Sequence, residues 1–128
     1  MDLYNDFNNQ STEFLRAVET VLPNEPNLKD YKFAFTQLKV FSPRQPVSLF
    51  MDSLGPFGAN IMSKDINFFG SNKDPHHIGN KLGINNYWDS FSYETKEAIW
   101  SYLQILYILG MKILNRTEEL QAILNNAA

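Results

Sequence analysis

The chain has 128 residues, of which 44% are apolar, so we expect a single domain over residues 1–128 with a sizeable core. It contains no cysteine, which excludes disulfides, thiolate zinc sites and cysteine nucleophiles. Its 14 acidic and 11 basic residues give a net charge of −3, which argues against nucleic-acid binding because such binding needs a clustered basic excess.

The first predicted helix covers residues 2–22. Its apolar residues recur along one helical stripe, and they are Leu3, Phe7, Phe14, Val18 and Val21. Pro23 ends the helix. The polar pair Ser11–Thr12 could interrupt it, and its first turns could fray.

The second predicted helix starts from a cap at residues 27–30. Leu28, Tyr31, Phe35 and Leu38 follow at helical spacings, although residues 32–41 are also rich in strand formers. We favour the helix and keep the strand as the alternative. On a helix, Phe33 and Val40 lie roughly opposite the main stripe. Such a helix is enclosed by neighbouring elements or meets another subunit, so these two residues are candidate interaction residues.

Two short helices are predicted next. Ser42 as cap, Pro43 at the first position and Gln45 at the third indicate a helix start, and Gly55-Pro56 indicates its end. The apolar set of this helix is Val47, Phe50, Met51 and Leu54. A further short helix is expected at about residues 58–67, carrying Ile61, Met62, Asp65 and Ile66.

Residues 70–90 have no clear periodicity and are rich in Gly and Asn, which predicts a long ordered loop. We expect apolar residues to attach it to the body, namely Ile78, Leu82, Ile84, Trp88 and Phe91. A short helix near residues 87–91 is an option. His76 and His77 lack the three or four convergent ligands that a metal site needs, so we expect an exposed polar loop and treat both as candidate interaction residues.

The C-terminal helix begins after the cap residue Ser92 and runs to Leu114. Its apolar face is very wide, which predicts a central core helix. Gly110 on that face favours a close helix crossing or a local kink. The apolar stretch is about 17 residues long and includes Ser101, Gln104 and Lys112, so we expect no membrane span. Asn115 with Glu118 indicates a new cap for a last short helix that ends near Leu124.

No catalytic arrangement is visible in the sequence. Glu94 and Glu97 share a helix face without a nucleophile or base beside them, which is typical of a solvated surface. No phosphate-binding glycine motif is present. Tyr102, Gln104 and Tyr107 would need hydrogen-bond partners if buried, and a buried Gln–Tyr network would then fix helix register without implying catalysis. We therefore expect no enzymatic activity and no cofactor.

The twelve residues IWSYLQILYILG at positions 99–110 resemble a segment of small proteins of the nucleocytoplasmic large DNA viruses, with the form I-W-x-Y-L-Q-x-L-Y-x-x-G. The matching residues are Ile99, Trp100, Tyr102, Leu103, Gln104, Leu106, Tyr107 and Gly110. Lys96 matches a lysine at the polar start of that helix. More loosely, Lys64-Asp65 followed by Phe68-Phe69 is similar to an acidic-then-aromatic segment of the family.

The chain is most similar to the marseillevirus-type version, a short protein packaged in the particle. Since that family has no established enzymatic activity, the resemblance implies a virion component and assigns no catalytic residue here.

Together these patterns predict an all-α fold, a compact bundle of five or six helices around a buried C-terminal helix. The function expected is that of a non-enzymatic virion protein of a large DNA virus that acts through contacts with viral or host proteins and forms a homodimer. The expected locations are the virion and the host cytoplasm. The alternative is a regulatory adaptor that binds a host or viral partner through a groove or through residues 70–90.

Overall fold

The computed structural model describes residues 2–70 and 72–127, and the regular structure within these ranges is entirely helical. The α-helices are α1 (Leu3–Val21), α2 (Pro26–Phe41), α3 (Pro46–Leu54), α4 (Gly58–Met62), α5 (Ile78–Lys81), α6 (Tyr93–Ile113) and α7 (Thr117–Ala127). The two shortest, α4 and α5, have five and four residues. The predicted all-α fold is therefore confirmed.

Helix α1 is continuous, so Ser11 and Thr12 do not interrupt it. The Asp2 carboxylate accepts a hydrogen bond from the Asn5 backbone N–H at 3.2 Å and caps the first turn. Ser11 is fully buried within the helix, and the Thr12 hydroxyl donates to the Asn8 carbonyl at 2.9 Å. Both polar side chains are thus accommodated without breaking the helix.

Helix α2 is helical through Phe41, which decides between the two alternatives for residues 32–41. Its cap is Glu25, whose carboxylate accepts from the Asn27 backbone N–H at 3.4 Å, so the predicted cap at residues 27–30 is wrong. Pro26 occupies the first helical position, where its missing N–H costs little. The helix therefore begins before the residues whose side chains most resemble a cap.

The segment after α2 also begins its helix later than predicted. Ser42 ends α2 and its carbonyl accepts from the Gln45 N–H at 2.8 Å, which forms a turn, and α3 then starts at Pro46. A single 3₁₀ turn at Gly55–Phe57 joins α3 to α4. Helix α4 stops at Met62 because Lys64 has a positive φ of 54°. The predicted helix at 58–67 is thus too long, and Ile66 is 86% exposed.

Residues 72–91 contain α5 and two 3₁₀ turns, at Ile84–Asn86 and Trp88–Ser90. The predicted attachment points are confirmed. Ile78, Leu82 and Ile84 are fully buried, and Trp88 is buried. The segment has more helical turns than the sequence indicated. Each is too short to be stable alone, and packing of its buried side chains on the core stabilises it.

Helix α6 packs against α1, α3, α4 and α7, as expected for a central helix. The Ser92 hydroxyl accepts from the Thr95 N–H at 3.1 Å, which confirms the predicted cap. At the other end, Asn115 has φ +58°, and the N–H groups of Asn115 and Arg116 donate to Lys112 and Met111 carbonyls. This is a Schellman ending, so Asn115 terminates α6 and does not cap α7 as predicted. Helix α7 folds back through buried Leu120.

No helix in the described ranges is both long enough and apolar enough to cross a bilayer.

The aromatic side chains form two clusters in the core. In the first, the Phe50 ring of α3 is surrounded by rings from α1 and α2 at centroid distances of 5.3–6.4 Å, contributed by Phe7, Phe14, Tyr31 and Phe35. The second lies beside α6 and consists of Phe57, Phe68, Phe69, His77, Trp88 and Trp100. The first cluster fixes α2 on the body, which leaves the opposite side of α2 facing solvent.

Candidate interaction surface

The residues of the α6 motif form core, and the structure does not gather them around a cleft. Six of them are buried, namely Ile99, Trp100, Leu103, Leu106, Tyr107 and Gly110, and the other two, Tyr102 and Gln104, are half-buried. The Tyr102 ring packs on Phe14 of α1 at 5.7 Å. These side chains therefore position neighbouring helices.

Gly110 lies against the Met51 side chain of α3. A Cβ atom at this position would overlap the Met51 sulfur and lie 2.8 Å from its Cγ. Of the two expectations for this glycine, this contact supports the close helix crossing. The packing of Met51 in the space that a Cβ would take offsets the helix-propensity cost of glycine, about 1 kcal/mol.

A Gln–Tyr network is absent from the described residues. The Gln104 side-chain amide instead donates to the Ile61 carbonyl at 3.2 Å and the Met62 carbonyl at 3.3 Å, at the end of α4. The Tyr107 hydroxyl is fully buried and meets no hydrogen-bond partner there. Burial raises the pKa of Tyr107 above its ordinary value, so this hydroxyl stays neutral. Gln104 fixes register, but through carbonyls of α4.

The outward side of α2 carries three large apolar side chains with no cover. Phe33 is 67% exposed, Val40 68% and Phe41 80%. We call these three residues the α2 stripe. The sequence predicted Phe33 and Val40 opposite the buried face and missed Phe41, which follows Val40 directly at the end of the helix. The neighbouring helices of this chain do not enclose the stripe, so an enclosing element would have to come from another molecule.

Charged residues flank the α2 stripe. On the α1 side, Lys32 pairs with Glu19 at 3.0 Å, and the Lys39 ammonium donates to the Thr12 hydroxyl at 3.1 Å. Exposed Asp30 lies before the stripe and exposed Arg44 just after it. A small cavity of about 150 Å³ between α1 and α2 is lined in part by Leu15, Phe35 and Val40, and it extends the apolar surface.

The two histidines separate in the structure. His76 is exposed, as expected of a loop residue, but His77 has no exposed surface at all. The prediction of His77 as an exposed interaction residue is therefore wrong. Its ring lies 4.4 Å from the Phe68 centroid and 5.6 Å from that of Phe57, so apolar packing holds it inside.

The remaining polar groups comprise scattered carboxylates, an ion pair on α6 and a cleft beside α2. Across residues 2–70 and 72–127, no three His, Cys, Asp or Glu side chains converge on a point that could hold a metal ion. Glu97 accepts hydrogen bonds from Lys64 at 3.1 Å and from the Tyr93 hydroxyl at 3.0 Å, and these lower its pKa. A polar cleft of about 860 Å³ lies between the start of α2 and residues 72–86, with Asn27, Lys73 and Lys81 among its lining residues.

Comparison of the chain with known protein families, with curated proteins and with solved structures found no match. The α2 stripe is accordingly identified from its own exposure and chemistry.

Proposed function

We propose that this protein is a non-enzymatic component of the virion of a large DNA virus, which acts through protein–protein contacts made by the α2 stripe. The observation that carries the proposal is the exposure of Phe33, Val40 and Phe41 on one side of a single helix. Together they present roughly 400 Å² of apolar side-chain surface, which is within the size range of the largest exposed patch on a typical monomer, a patch that is often functional. The assignment to a virion, with delivery into host cytoplasm, rests on the resemblance of residues 99–110.

The first partner we propose is a second copy of the chain. Residues 30, 33, 37 and 41 follow one another along α2 at helical spacings of three and four. In an antiparallel pair of α2 helices with its two-fold axis at Gln37, Phe33 of one copy lies opposite Phe41 of the other. Acidic Asp30 then lies at the rim, towards the turn after α2 in the other copy, which carries basic Arg44. Apolar surface in the centre with opposite charges at the rim suits a self-complementary interface.

A stable interface buries about 800 Å² on each partner, roughly twice what the α2 stripe offers. The flanking polar residues would have to supply the rest, so we expect a reversible dimer whose population depends on concentration.

Light scattering and sedimentation across a concentration series test this proposal. The wild-type chain should approach twice the 14.8 kDa chain mass at high concentration. Phe41→Lys should remain monomeric, because it places a desolvated charge in the centre of the interface. Ile66→Lys is the matched control, since Ile66 is equally exposed but lies outside the α2 stripe. A wild-type monomer at every concentration would contradict the dimer, and equal dissociation of both variants would contradict its placement at the α2 stripe.

The adaptor function remains the second candidate, and the polar cleft beside residues 72–86 is the observation in its favour. Affinity capture from infected-cell lysate separates the two functions. A single stoichiometric host partner that binds Phe41→Lys as well as wild type would favour the adaptor, whereas recovery of the chain with itself and other particle proteins would favour the virion component.

A further inference from the structure

His77 is a buried titratable residue that the proposed function does not use. Its side chain has no exposed surface and lies among the rings of Phe57, Phe68 and Phe69, at centroid distances of 4.4–6.0 Å. It is also the residue that caps α5. The Nδ1 atom accepts a hydrogen bond from the Gly79 backbone N–H at 3.1 Å.

The hydrogen bonds define which form of the ring the fold accepts. The Gly79 N–H donates to Nδ1, and the Asn85 amide nitrogen lies 3.4 Å from the same atom. Nδ1 must therefore be unprotonated, and the single proton of the neutral ring sits on Nε2. That Nε2 is buried and has no partner in hydrogen-bond geometry among the described residues. A second proton would replace the acceptor at Nδ1 with a donor that faces the Gly79 N–H and lies beside the Asn85 amide.

Asn85 extends this arrangement into the rest of the segment. Its amide donates to Asn80 Oδ1 at 2.8 Å, and its carbonyl oxygen accepts from the Gly70 N–H at 3.0 Å. Asn80 in turn donates to the Asn72 and Asp74 carbonyls at 2.8 and 2.7 Å. A change at the His77 ring is thus coupled to the hydrogen bonds that hold residues 72–86 together.

We propose that His77 is an acid-sensitive lock, whose protonation releases residues 72–91 from the aromatic cluster beside α6. The released segment would expose the rings of Phe68 and Phe69 together with Trp88, which stacks on Phe69 at 4.2 Å. This would give the protein a second apolar surface that is present only in acid.

Burial, and not a nearby charge, is the largest influence on the pKa of the His77 ring. Burial lowers the pKa of His77 below its ordinary value, while the Asp74 carboxylate and the Phe68 backbone act in the opposite direction. Asp74 is itself held by the His76 N–H at 2.9 Å and does not bond the ring.

The other charged residues on nearby elements serve other groups. Glu25 at the start of α2 lies against Gly83, Asp52 of α3 acts on Tyr31, and Lys96 of α6 lies over Trp88. Asp30 and Lys81 line the neighbouring cleft. The groups that surround the ring itself, Phe57, Phe68, Phe69 and Asn85, carry no charge.

The sign of the pH dependence follows from the lowered pKa of the closed form. The closed segment is fully favoured above about pH 6.5, the ordinary value for histidine, and opening becomes easier as the pH falls below it. Each pH unit below 6.5 should increase the open population about tenfold until the pKa of the buried ring is reached.

Hydrogen exchange measured by mass spectrometry at pH 7.5 and 5.5 tests the lock in the full-length protein. Protection factors in residues 72–91 should fall between these values, by up to about tenfold, while those in α1 stay constant. His77→Asn keeps a capping acceptor but cannot be protonated in this range, so its protection should lose the pH dependence. His76→Asn, the exposed neighbour, should behave as wild type. An equal pH dependence in His77→Asn and wild type would overturn the proposal.

A second measurement covers the case in which His77→Asn does not fold. Nuclear magnetic resonance of the His77 imidazole in the wild-type chain should show this ring taking up its proton below about pH 6.5, the ordinary value for histidine. His77 should be in the Nε2–H form at pH 7.5, and its protonation should coincide with changes in the Trp88 indole signal. Protonation of His77 at the ordinary value, without change at Trp88, would contradict the lock.

Discussion

The packing of α4 on α6 can be tested with two glycines that share one backbone conformation. Gly55 and Gly58 both have φ −54° and ψ −46°, angles that any residue adopts in a helix. They differ in their surroundings. Apart from its chain neighbours, a Cβ atom on Gly55 has nothing within 4 Å, whereas one on Gly58 would overlap the Tyr107 hydroxyl and Cζ and lie 2.9 Å from Cε1. Gly55 precedes Pro56, whose ring disfavours a Cβ atom in the helical conformation at the residue before it. The pair therefore compares a contact between chain neighbours with a contact between two helices.

The expected effects differ in size. Gly55→Ala should change the stability by less than about 1 kcal/mol, because the restriction of the unfolded chain by alanine is offset by the contact of its Cβ with the Pro56 ring. Gly58→Ala should destabilise the fold by about 1–3 kcal/mol, since the rigid Tyr107 ring is fully buried and cannot move aside. Gly58→Ala should thus be the less stable of the two variants by about 1–3 kcal/mol.

Urea denaturation followed by circular dichroism gives both free energies of unfolding by linear extrapolation. Thermal unfolding supplies a check, since each kcal/mol shifts the Tm of a domain of this size by about 4 °C. Equal stability of Gly55→Ala and Gly58→Ala would refute the contact between α4 and the Tyr107 ring.

Three further predictions concern the core and its charges. Phe50→Ala should lower the free energy of unfolding in urea by about 3–5 kcal/mol, because it empties the centre of the first aromatic cluster. Its control, Phe33→Ala at an exposed position, should change this free energy by less than about 0.5 kcal/mol. A similarly small loss in Phe50→Ala would contradict the packing around Phe50. Tyr107→Phe should be at least as stable as wild type, because it removes a buried hydroxyl that has no hydrogen-bond partner in the described part of the chain. A loss of stability above about 1 kcal/mol would contradict this, since it would indicate a hydrogen bond from that hydroxyl. Hydrogen bonds from Lys64 and Tyr93 lower the pKa of Glu97, so the ionised carboxylate stabilises the fold above its ordinary pKa, and this stabilisation is lost as the pH falls through the lowered pKa. Glu97→Gln should therefore flatten the dependence of Tm on pH in acid. An unchanged slope would argue against these hydrogen bonds.

The helices that could be predicted from the sequence are those whose apolar periodicity agrees with burial. In α1 and α6 the stripes of Phe7, Phe14, Ile99 and Leu103 recur over several turns, and such repetition identifies a helix and its inner face together. Ser92 was recognisable as a cap because its side chain acts on the residue three positions later, within the same short stretch of sequence.

The wrong predictions concern helix caps, at positions where the same residue type suits two different local structures. Asn115 suits a helix start as a cap and a helix end in the left-handed conformation, and the second outcome is realised. Asn27 resembles a cap, but Pro26 before it is better placed as a first helical residue, which moves the cap to Glu25. The sequence alone favours neither outcome decisively.

The environment of the site residues depends on distant parts of the chain. His77 reads as a polar loop residue, and its burial is caused by Phe57 and Phe68, which come from other segments. Gln104 bonds to carbonyls 42 and 43 residues earlier in the chain. The exposure of the α2 stripe was foreseeable in part, since Phe33 and Val40 lie off the main apolar face, but only the packing of the neighbours shows that they remain uncovered.

The antiparallel pairing of α2 helices can be tested directly because the chain has no cysteine of its own. Gln37→Cys introduces a single thiol at the proposed two-fold axis, on an exposed position of α2, and Gln121→Cys is the matched control on exposed α7. With a short bis-maleimide at concentrations where the dimer forms, Gln37→Cys should convert rapidly to a covalent dimer, and Gln121→Cys should not. Equal, slow cross-linking of both variants would contradict a second copy at the α2 stripe.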